Sequence, residues 1–277
     1  MASTMAERSP DQIAENWGAI APEYEQAFEG LSTQYATHAL QLLDLRPGER
    51  VLDVAAGTGA FSLQAARVGA EVLATDFAPG MVARLRERAT QEGLAGISAE
   101  VMDGQALALP DASFDAGASV LGLIFFPDLD RGLTELRRVL RGGGRAAVVC
   151  WRDPASLSLM TLVRQAIHKV APAFQPPAAP PTWARLAGAE ALKTRMEAAG
   201  FRRVEVVTST AIQRIDTPET YWSGFTRSAP PLAYLFGRLG PERTTAVGRE
   251  YIEALRAQSK DGVPTLSVEA CIGIGKA

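Results

Sequence analysis

The chain has 277 residues, of which 47% are hydrophobic and 21% are charged, and its formal net charge at pH 7 is −3. This composition is that of a globular protein with a large apolar core. The acidic balance argues against nucleic acid as the main substrate, because such proteins usually carry a basic stripe that neutralises phosphates.

The amino-terminal segment, residues 1–48, is predicted to be helical. It starts with MASTMAERSPDQ, which lacks the basic-then-apolar pattern of a secretory signal and so predicts a cytoplasmic protein. Tyr35, Ala39 and Leu43 recur at helical spacing until Pro47-Gly48 signals a turn. No run in the chain reaches the roughly 18 to 20 apolar residues of a membrane helix.

Residues 49–153 alternate short apolar runs with amphipathic helices. The helices are punctuated by Gly69 and Gly93, which predict helix ends, and by Pro79, which predicts a helix start. Strands that alternate with helices predict right-handed β-α-β crossovers and a mainly parallel sheet. The five predicted strands contain ERVLDVA, AEVLATD, ISAEVMD, FDAGASVLGLIFF and RAAVVCW.

The alternation breaks after Trp151. Residues 154–188 are predicted to form a helical insertion that contains the proline-rich stretch APAFQPPAAPPT, and residues 217–262 a second helical insertion. Residues 189–216 return to a helix and a strand, and residues 263–277 form a terminal strand with period-two alternation. We interpret the insertions as a cap over the carboxyl edge of the sheet rather than as a separate domain.

The most informative stretch is VLDVAAGTGAFS, which begins at Val51. Gly57 and Gly59, between a strand and a helix, let the backbone pass close to a ligand at the amino end of that helix. Asp76 ends the second strand, where a carboxylate can accept hydrogen bonds from both hydroxyls of a ribose. Asp103-Gly104 places a further carboxylate after the third strand.

These features resemble class I S-adenosylmethionine-dependent methyltransferases, particularly the branch of ubiquinone and menaquinone biosynthesis. The segments that carry the resemblance are VLDVAAGTGAFS, ATDFAPGMV, MDGQALALPDASFD and ELRRVLRGGGR, in the family's order between Arg50 and about Trp151. The resemblance implies an α/β, Rossmann-like, seven-stranded, mostly parallel sheet whose last strand is antiparallel, with helical cap insertions. It also implies S-adenosylmethionine as the cofactor.

The resemblance further implies roles for residues of this chain. Asp53, Gly57 and Gly59 would surround the methionine part of the cofactor, Asp76 the ribose, and Val120 the sulfonium end. At Ala55 the chain departs from the family, many of whose members have glycine there. The full set of implied cofactor contacts is Tyr24, Asp53, Ala55, Gly57, Thr58, Gly59, Asp76, Phe77, Met81, Asp103, Gly104, Gln105 and Val120.

Other functions fit the sequence less well. A dinucleotide site would need glycine or alanine at the position of Ser62. Nucleic-acid amino-methyltransferases commonly carry an Asn/Asp-Pro-Pro-Tyr/Phe segment after the fourth strand, where this chain has LGLIFFPD. Two open alternatives are a regulator that binds S-adenosylmethionine without chemistry and an enzyme that uses the cofactor for another reaction.

Side chains for the acceptor are harder to identify. The aromatic residues of the insertions form either the insertions' own core or an apolar pocket, which we predict for a ring-bearing acceptor. No general base is identified, and His168 is the one candidate to reach the substrate. The predicted pocket residues are Trp151, Arg152, Phe174, Trp183, Tyr221, Trp222 and Phe225.

Metal and disulfide chemistry are not expected. Two isolated histidines and the distant Cys150 and Cys271 offer no clustered ligands, and the cysteines are expected to be buried and reduced.

The resemblance, together with the apolar insertions, predicts a methyltransferase that acts on O, N or C of a small, aromatic, quinone-like or secondary-metabolite acceptor. A homodimer is compatible with the resemblance, although no self-complementary surface is evident in the sequence.

Overall fold

A computed structural model describes residues 9–153, 157–175, 182–259 and 262–277. Residues 1–8 and half of the proline-rich stretch of the first insertion, residues 176–181, lie outside the described residues. The strands are β1 Arg50–Val54, β2 Glu71–Asp76, β3 Ile97–Val101, β4 Phe114–Val120, β5 Leu140–Trp151, β6 Arg202–Arg214 and β7 Thr265–Lys276. The α-helices are α1 Ala14–Ala19, α2 Ala21–Leu43, α3 Ser62–Arg67, α4 Pro79–Gln91, α5 Leu129–Val139, α6 Ser158–Val170, α7 Ala189–Ala198, α8 Pro218–Phe225, α9 Pro230–Leu239 and α10 Pro241–Ala257.

The strands form one seven-stranded sheet in the order β3-β2-β1-β4-β5-β7-β6. The pairs among β1 to β5 are parallel, and β7 is antiparallel to both β5 and β6. This confirms the predicted Rossmann-like sheet with an antiparallel last strand. Because the strand order reverses between β1 and β4, their carboxyl ends border a crevice of the kind in which open α/β sheets bind ligands.

Local signals placed several helix ends correctly. Pro79 begins α4, and Gly69 and Gly93 follow α3 and α4 with φ of 90° and 66°. Such positive φ angles suit glycine because it has no Cβ. The fifth strand begins earlier than the predicted stretch RAAVVCW, because β5 starts at Leu140 and includes the glycines at 142–144. The pairing of β4 with β5 shifts register across them, which is the irregularity that a bulge produces.

The core extends over both faces of the sheet. In β1 every residue after Arg50 is buried, and Tyr35 of α2 donates a hydrogen bond to the carbonyl of Val268 across 2.8 Å. Cys150 and Cys271 are both buried and free, and they lie directly opposite each other on β5 and β7. Within the described segments, no helix is both long and apolar enough to cross a bilayer.

Candidate functional site

A cavity of about 430 Å³ opens at the carboxyl ends of β1, β2, β3 and β4. This volume lies within the range of roughly 300 to 1,000 Å³ that is usual for small-molecule sites. We call one side the loop half, whose lining comes from Ala55, Gly57, Asp76, Phe77, Met81, Met102, Asp103, Gly104, Gln105 and Val120. We call the other the aromatic half, whose lining comes from Asp11, Gln12, Trp17, Phe125, Phe126 and Pro127.

The turn after β1 brings backbone into the loop half. Ala55, Gly57 and Gly59 all have positive φ, of 54°, 54° and 97°. A side chain on Gly59 would also meet Leu85, because an added Cβ would lie 2.9 Å from its Cγ. Gly59 therefore packs the turn against α4, and only Gly57 and Ala55 of these three line the cavity. The motif thus combines a ligand-facing glycine with a packing glycine.

Asp76 joins the turns after β1 and β2. Its Oδ2 accepts a hydrogen bond from the Gly57 amide and its Oδ1 one from the Ala78 amide, each at 2.9 Å. Burial raises the pKa of Asp76 to about 6, although these two amides favour the carboxylate. Asp76 lines the cavity, and each oxygen keeps a second lone pair for a hydroxyl donor.

Asp53 lies deeper, at the end of β1. Its Oδ2 accepts a 2.6 Å hydrogen bond from Ser62, whereas its Oδ1 is buried without a partner. Burial, with the negative charge of Asp76 nearby, raises its pKa to about 7. Asp53 borders a second space of about 20 Å³ that Tyr24 and Thr58 also line. A buried carboxylate oxygen without a donor is costly, so this position favours a ligand that brings one.

The loop after β3 contributes Asp103, Gly104 and Gln105 to the loop half. Asp103 Oδ1 accepts hydrogen bonds from the amide of Gln105 and from its side chain, at 2.8 and 3.1 Å. Glycine is required at 104, because an added Cβ would lie 2.6 Å from the Phe126 ring and 2.7 Å from Val54. Met81 of α4 is buried and also lines the cavity.

The amino-terminal segment covers the cavity. Trp17 of α1 contacts Phe125 edge-on, with 4.8 Å between ring centroids, and Tyr24 of α2 lies 6.1 Å from Trp17. Burial raises the pKa of Tyr24 to about 12, so its hydroxyl stays protonated near neutral pH. An added Cβ on Gly80 would lie 2.6 Å from the Cα of Gly18, so α1 meets the start of α4 backbone to backbone.

Sequence reasoning missed most of the aromatic half. Asp11, Gln12 and Trp17 precede the recognisable motifs, and Phe125 and Phe126 lie in a 3-10 turn after β4 and directly beyond it. The sequence did contain a signal for Phe125 and Phe126, because they belong to the stretch LGLIFFPD, which follows the strand whose end faces the cavity. The first group could not be assigned, because its position depends on how α1 docks on α4.

The predicted acceptor residues lie away from the described cavity, and none of them is among its lining residues. Tyr221, Trp222 and Phe225 pack in one buried aromatic cluster with Tyr251 of α10. The insertion helices are short and amphipathic. The aromatic rings on their apolar faces therefore pack α8 against its neighbours. These contacts agree with the first of the two interpretations, in which the aromatic residues form the insertions' own core.

The remaining predicted acceptor residues are also elsewhere. Trp151 packs on Tyr35, with 6.2 Å between ring centroids, and Arg152 forms a 2.6 Å ion pair with Glu269 on the adjacent strand. Phe174 is half-buried and has the Arg238 guanidinium 5.9 Å from its ring centroid. Trp183 is half-buried in a 3-10 turn, and His168 is exposed in the last turn of α6.

The described residues contain no group of three or more His, Cys, Asp or Glu side chains that could hold a metal ion. The charged side chains that line the described cavity are Asp11, Asp76 and Asp103, and no Lys, Arg or His of the described ranges is among its lining residues. The cavity therefore favours neutral or cationic groups over anions.

Comparison with known proteins identifies the class. Residues 52–148 match the family model described as a methyltransferase domain. A demethylmenaquinone methyltransferase of Corynebacterium glutamicum is 32% identical over 62% of this chain and 74% of its own length. An uncharacterized protein of Mycobacterium tuberculosis is 32% identical over 78% of each chain. The chain belongs to the class I S-adenosylmethionine-dependent methyltransferases, in the branch that includes the menaquinone biosynthesis enzymes.

Solved structures agree on the fold. Phosphoethanolamine N-methyltransferase 2 of Haemonchus contortus, in complex with phosphomonomethylethanolamine and S-adenosylhomocysteine, superposes with a TM-score of 0.57 at 18% identity. The match covers 92% of this chain and 56% of that one. The cyclase SpnF superposes with a TM-score of 0.53 at 21% identity, over 88% of this chain and 80% of that one. The chain is thus an S-adenosylmethionine-dependent enzyme on a fold that hosts several reactions.

The loop half and the small second space, which shares Ala55 and Val120 with it, fit this cofactor. Asp53 presents a buried, unpartnered oxygen that a cationic ammonium can satisfy. Asp76 presents two oxygens at the cavity wall, as a ribose diol requires. Gly104 lines the cavity beside Asp103 and packs too closely on Phe126 and Val54 to carry a side chain. The free oxygen of Asp53 and the two oxygens of Asp76 thus match two chemical groups of one molecule, an ammonium and a diol.

Proposed function

We propose that the enzyme methylates O, N or C of a small, aromatic or quinone-like acceptor, which binds in the aromatic half. The observation that carries this proposal is the wall formed by Trp17, Phe125 and Phe126, directly beside the turn after β4. Aromatic walls favour flat, ring-bearing ligands. The name of the Corynebacterium glutamicum relative, a demethylmenaquinone methyltransferase, gives further support for a quinone-like ring.

In this proposal the loop half holds the cofactor. Asp53 binds the ammonium, Asp76 the ribose hydroxyls, and Asp103 with Gly104 and Gln105 the edge of the adenine. Phe77 and Met81 pack against the ring, and Val120 lines the reactive end. Thr58 and Gly59 fix the turn after β1, and Ala55 and Gly57 bring its backbone to the ligand. S-adenosylmethionine supplies a methyl group on positively charged sulfur, which is already activated for transfer.

The work left to the protein is alignment and exclusion of water. Trp17 and Tyr24 line the cavity from the amino-terminal segment, with 6.1 Å between their ring centroids, and in this proposal they exclude water from it. Tyr24 stays protonated at neutral pH because burial raises its pKa to about 12, so it serves as a hydrogen-bonding group rather than as a base.

The test is a product search. The purified enzyme would be incubated with S-adenosylmethionine that carries an isotopically labelled methyl group and with phenols, quinone precursors and aromatic amines. We expect at least one acceptor to gain one labelled methyl group while S-adenosylhomocysteine forms in equal amount. Methylation of protein or RNA with no small acceptor modified would contradict the proposal.

A second candidate function remains distinct in its outcome. The fold also serves the cyclase SpnF, so the fold alone does not fix the reaction. A binding regulator would bind S-adenosylmethionine tightly and form no S-adenosylhomocysteine with any acceptor. An enzyme that uses the cofactor for another reaction would convert an acceptor without adding a methyl group.

A further inference from the structure

The aromatic half contains one charged side chain, that of Asp11. Asp11 is buried, with 4% of the residue exposed, and the residue lines the cavity together with Gln12 and Trp17. The hydroxyls of Ser9 and Thr182 each donate a hydrogen bond to it, one to each oxygen. Each oxygen keeps a lone pair, so Asp11 can accept one more donor from the cavity side.

The Arg185 guanidinium donates hydrogen bonds to the carbonyls of Thr182, Pro127 and Phe126, but it forms no ion pair with Asp11. None of the ion pairs formed within the described ranges includes Asp11, and no basic side chain of these ranges lines the cavity around it. The hydroxyls of Ser9 and Thr182 donate hydrogen bonds to the carboxylate of Asp11, but because they are neutral they do not offset its negative charge. A buried charge of this kind repels an anion and attracts a donor in its pocket.

The position of Asp11 is fixed from two sides. The indole nitrogen of Trp17 donates a 2.9 Å hydrogen bond to the carbonyl of Asp11, and the same ring packs on Phe125. The bond from Thr182 ties the carboxylate to the first insertion. Asp11 is therefore held where the aromatic half meets the insertion, rather than on a free terminus.

We propose that Asp11 determines acceptor specificity by accepting a hydrogen bond from an N–H or O–H group of a neutral or cationic aromatic acceptor. Acceptors that carry a carboxylate or phosphate at that end are rejected, because the site offers them a negative charge and no described Lys, Arg or His lines it. This inference rests on the proposed function, since it specifies which aromatic molecules the aromatic half binds. It does not make Asp11 a proton acceptor in the reaction.

The test compares naphthol, aminonaphthalene and naphthoate, which share one ring system and differ in the polar group. Each would be titrated into the full chain saturated with S-adenosylhomocysteine, with binding followed by saturation-transfer NMR and by tryptophan fluorescence. We expect the two donor probes to bind at least about tenfold more tightly than naphthoate, the effect of one hydrogen bond to a charged group. Asp11→Asn should reduce that ratio to about threefold or less.

Two controls separate the possible failures. Asp216→Asn removes the same charge from an exposed loop position and should leave the probe ratio unchanged. Asp11→Asn should keep its thermal unfolding midpoint and bind S-adenosylhomocysteine within about threefold of the wild type, since a folded loop half is not altered. Naphthoate binding as tightly as naphthol, no binding of either donor probe, or an unchanged ratio in folded Asp11→Asn would each overturn the proposal.

The proposed function fails in a different way. If no small acceptor is methylated although the donor probes bind in an Asp11-dependent manner, the reaction is wrong and the recognition stands. If acceptors are methylated but anionic ones are used as efficiently as neutral ones by the wild type, the reaction stands and the role of Asp11 is wrong.

Discussion

The two halves of the cavity are built in opposite ways. The loop half consists of turns that directly follow β1, β2, β3 and β4, so each of its residues is fixed by a strand end a few positions away. The aromatic half joins a segment before the first strand to the turn after β4, and it depends on helix docking. Local backbone constraints can therefore be recognised in a sequence as motifs, whereas surfaces formed by helix docking produce few recognisable motifs.

The strongest way to break the comparison is to remove Asp76, which joins two turns of the loop half. We expect Asp76→Ala to weaken S-adenosylmethionine binding by about 3 kcal/mol, roughly a hundredfold or more, because hydrogen bonds to a buried carboxylate are strong. Titration calorimetry measures this change, with Asp216→Ala as the exposed control. An affinity within threefold of the wild type would move the cofactor out of the loop half.

The next test uses the pH dependence of Asp53. Burial raises its pKa to about 7 in the folded chain, against about 4 in the unfolded chain. The folded state thus binds more protons between these values, so its contribution is complete in acid and is lost as the pH rises through 7. Asp53→Asn removes the ionisation, and we expect the ligand-free variant to be about 3 to 4 kcal/mol more stable than the wild type at pH 8.

At about pH 3 the same pair should differ little, because Asp53 is then protonated in both the folded and the unfolded wild type. Denaturant unfolding at the two pH values measures both numbers. Asp216→Asn provides the matched control and should show no gain at pH 8. The stabilised Asp53→Asn variant should also bind S-adenosylmethionine more weakly than the wild type, which would show that the strain at this carboxylate serves ligand binding. A variant with an unaltered pH profile would contradict the assigned environment of Asp53.

A third test acts where the halves meet. An alanine Cβ at 104 would lie 2.6 Å from the Phe126 ring and 2.7 Å from Val54, so Gly104→Ala must displace one of them. We expect it to lower the free energy of unfolding by about 1 to 2 kcal/mol and to weaken cofactor binding, as overpacking does. Gly142→Ala is the control, because an added Cβ there meets nothing within 4 Å. Equal losses of stability at both positions would show that the backbone preference of glycine over alanine, and not the lack of space at 104, causes the effect.

The extent of sequence-based prediction follows the same division. The strand ends, Pro79 and the positive-φ glycines gave the sheet and the turns, because each is a local requirement of the backbone. The acceptor residues were placed in the insertions, whose rings, Trp222 and Phe225 among them, instead pack on each other. Aromatic side chains report burial in a sequence, but they do not report which cavity, if any, they face. Asp11 could not be singled out, since an acidic residue near a chain start is ordinarily solvated.

The smallest predicted effect sharpens this lesson at Ala55. Its φ of 54° lies in the left-handed region, where a Cβ costs roughly 1 to 2 kcal/mol, and glycine avoids this cost while losing some entropy on folding. We expect Ala55→Gly to stabilise the protein by about 0.5 to 1 kcal/mol, measured by denaturant unfolding. Ala56→Gly, at a residue outside the positive-φ set, should instead destabilise it by a similar amount. If both substitutions destabilise, then Ala55 packs against the turn after β4 strongly enough to offset its backbone strain, and the departure from the family's glycine is a feature of this cavity rather than a tolerated defect.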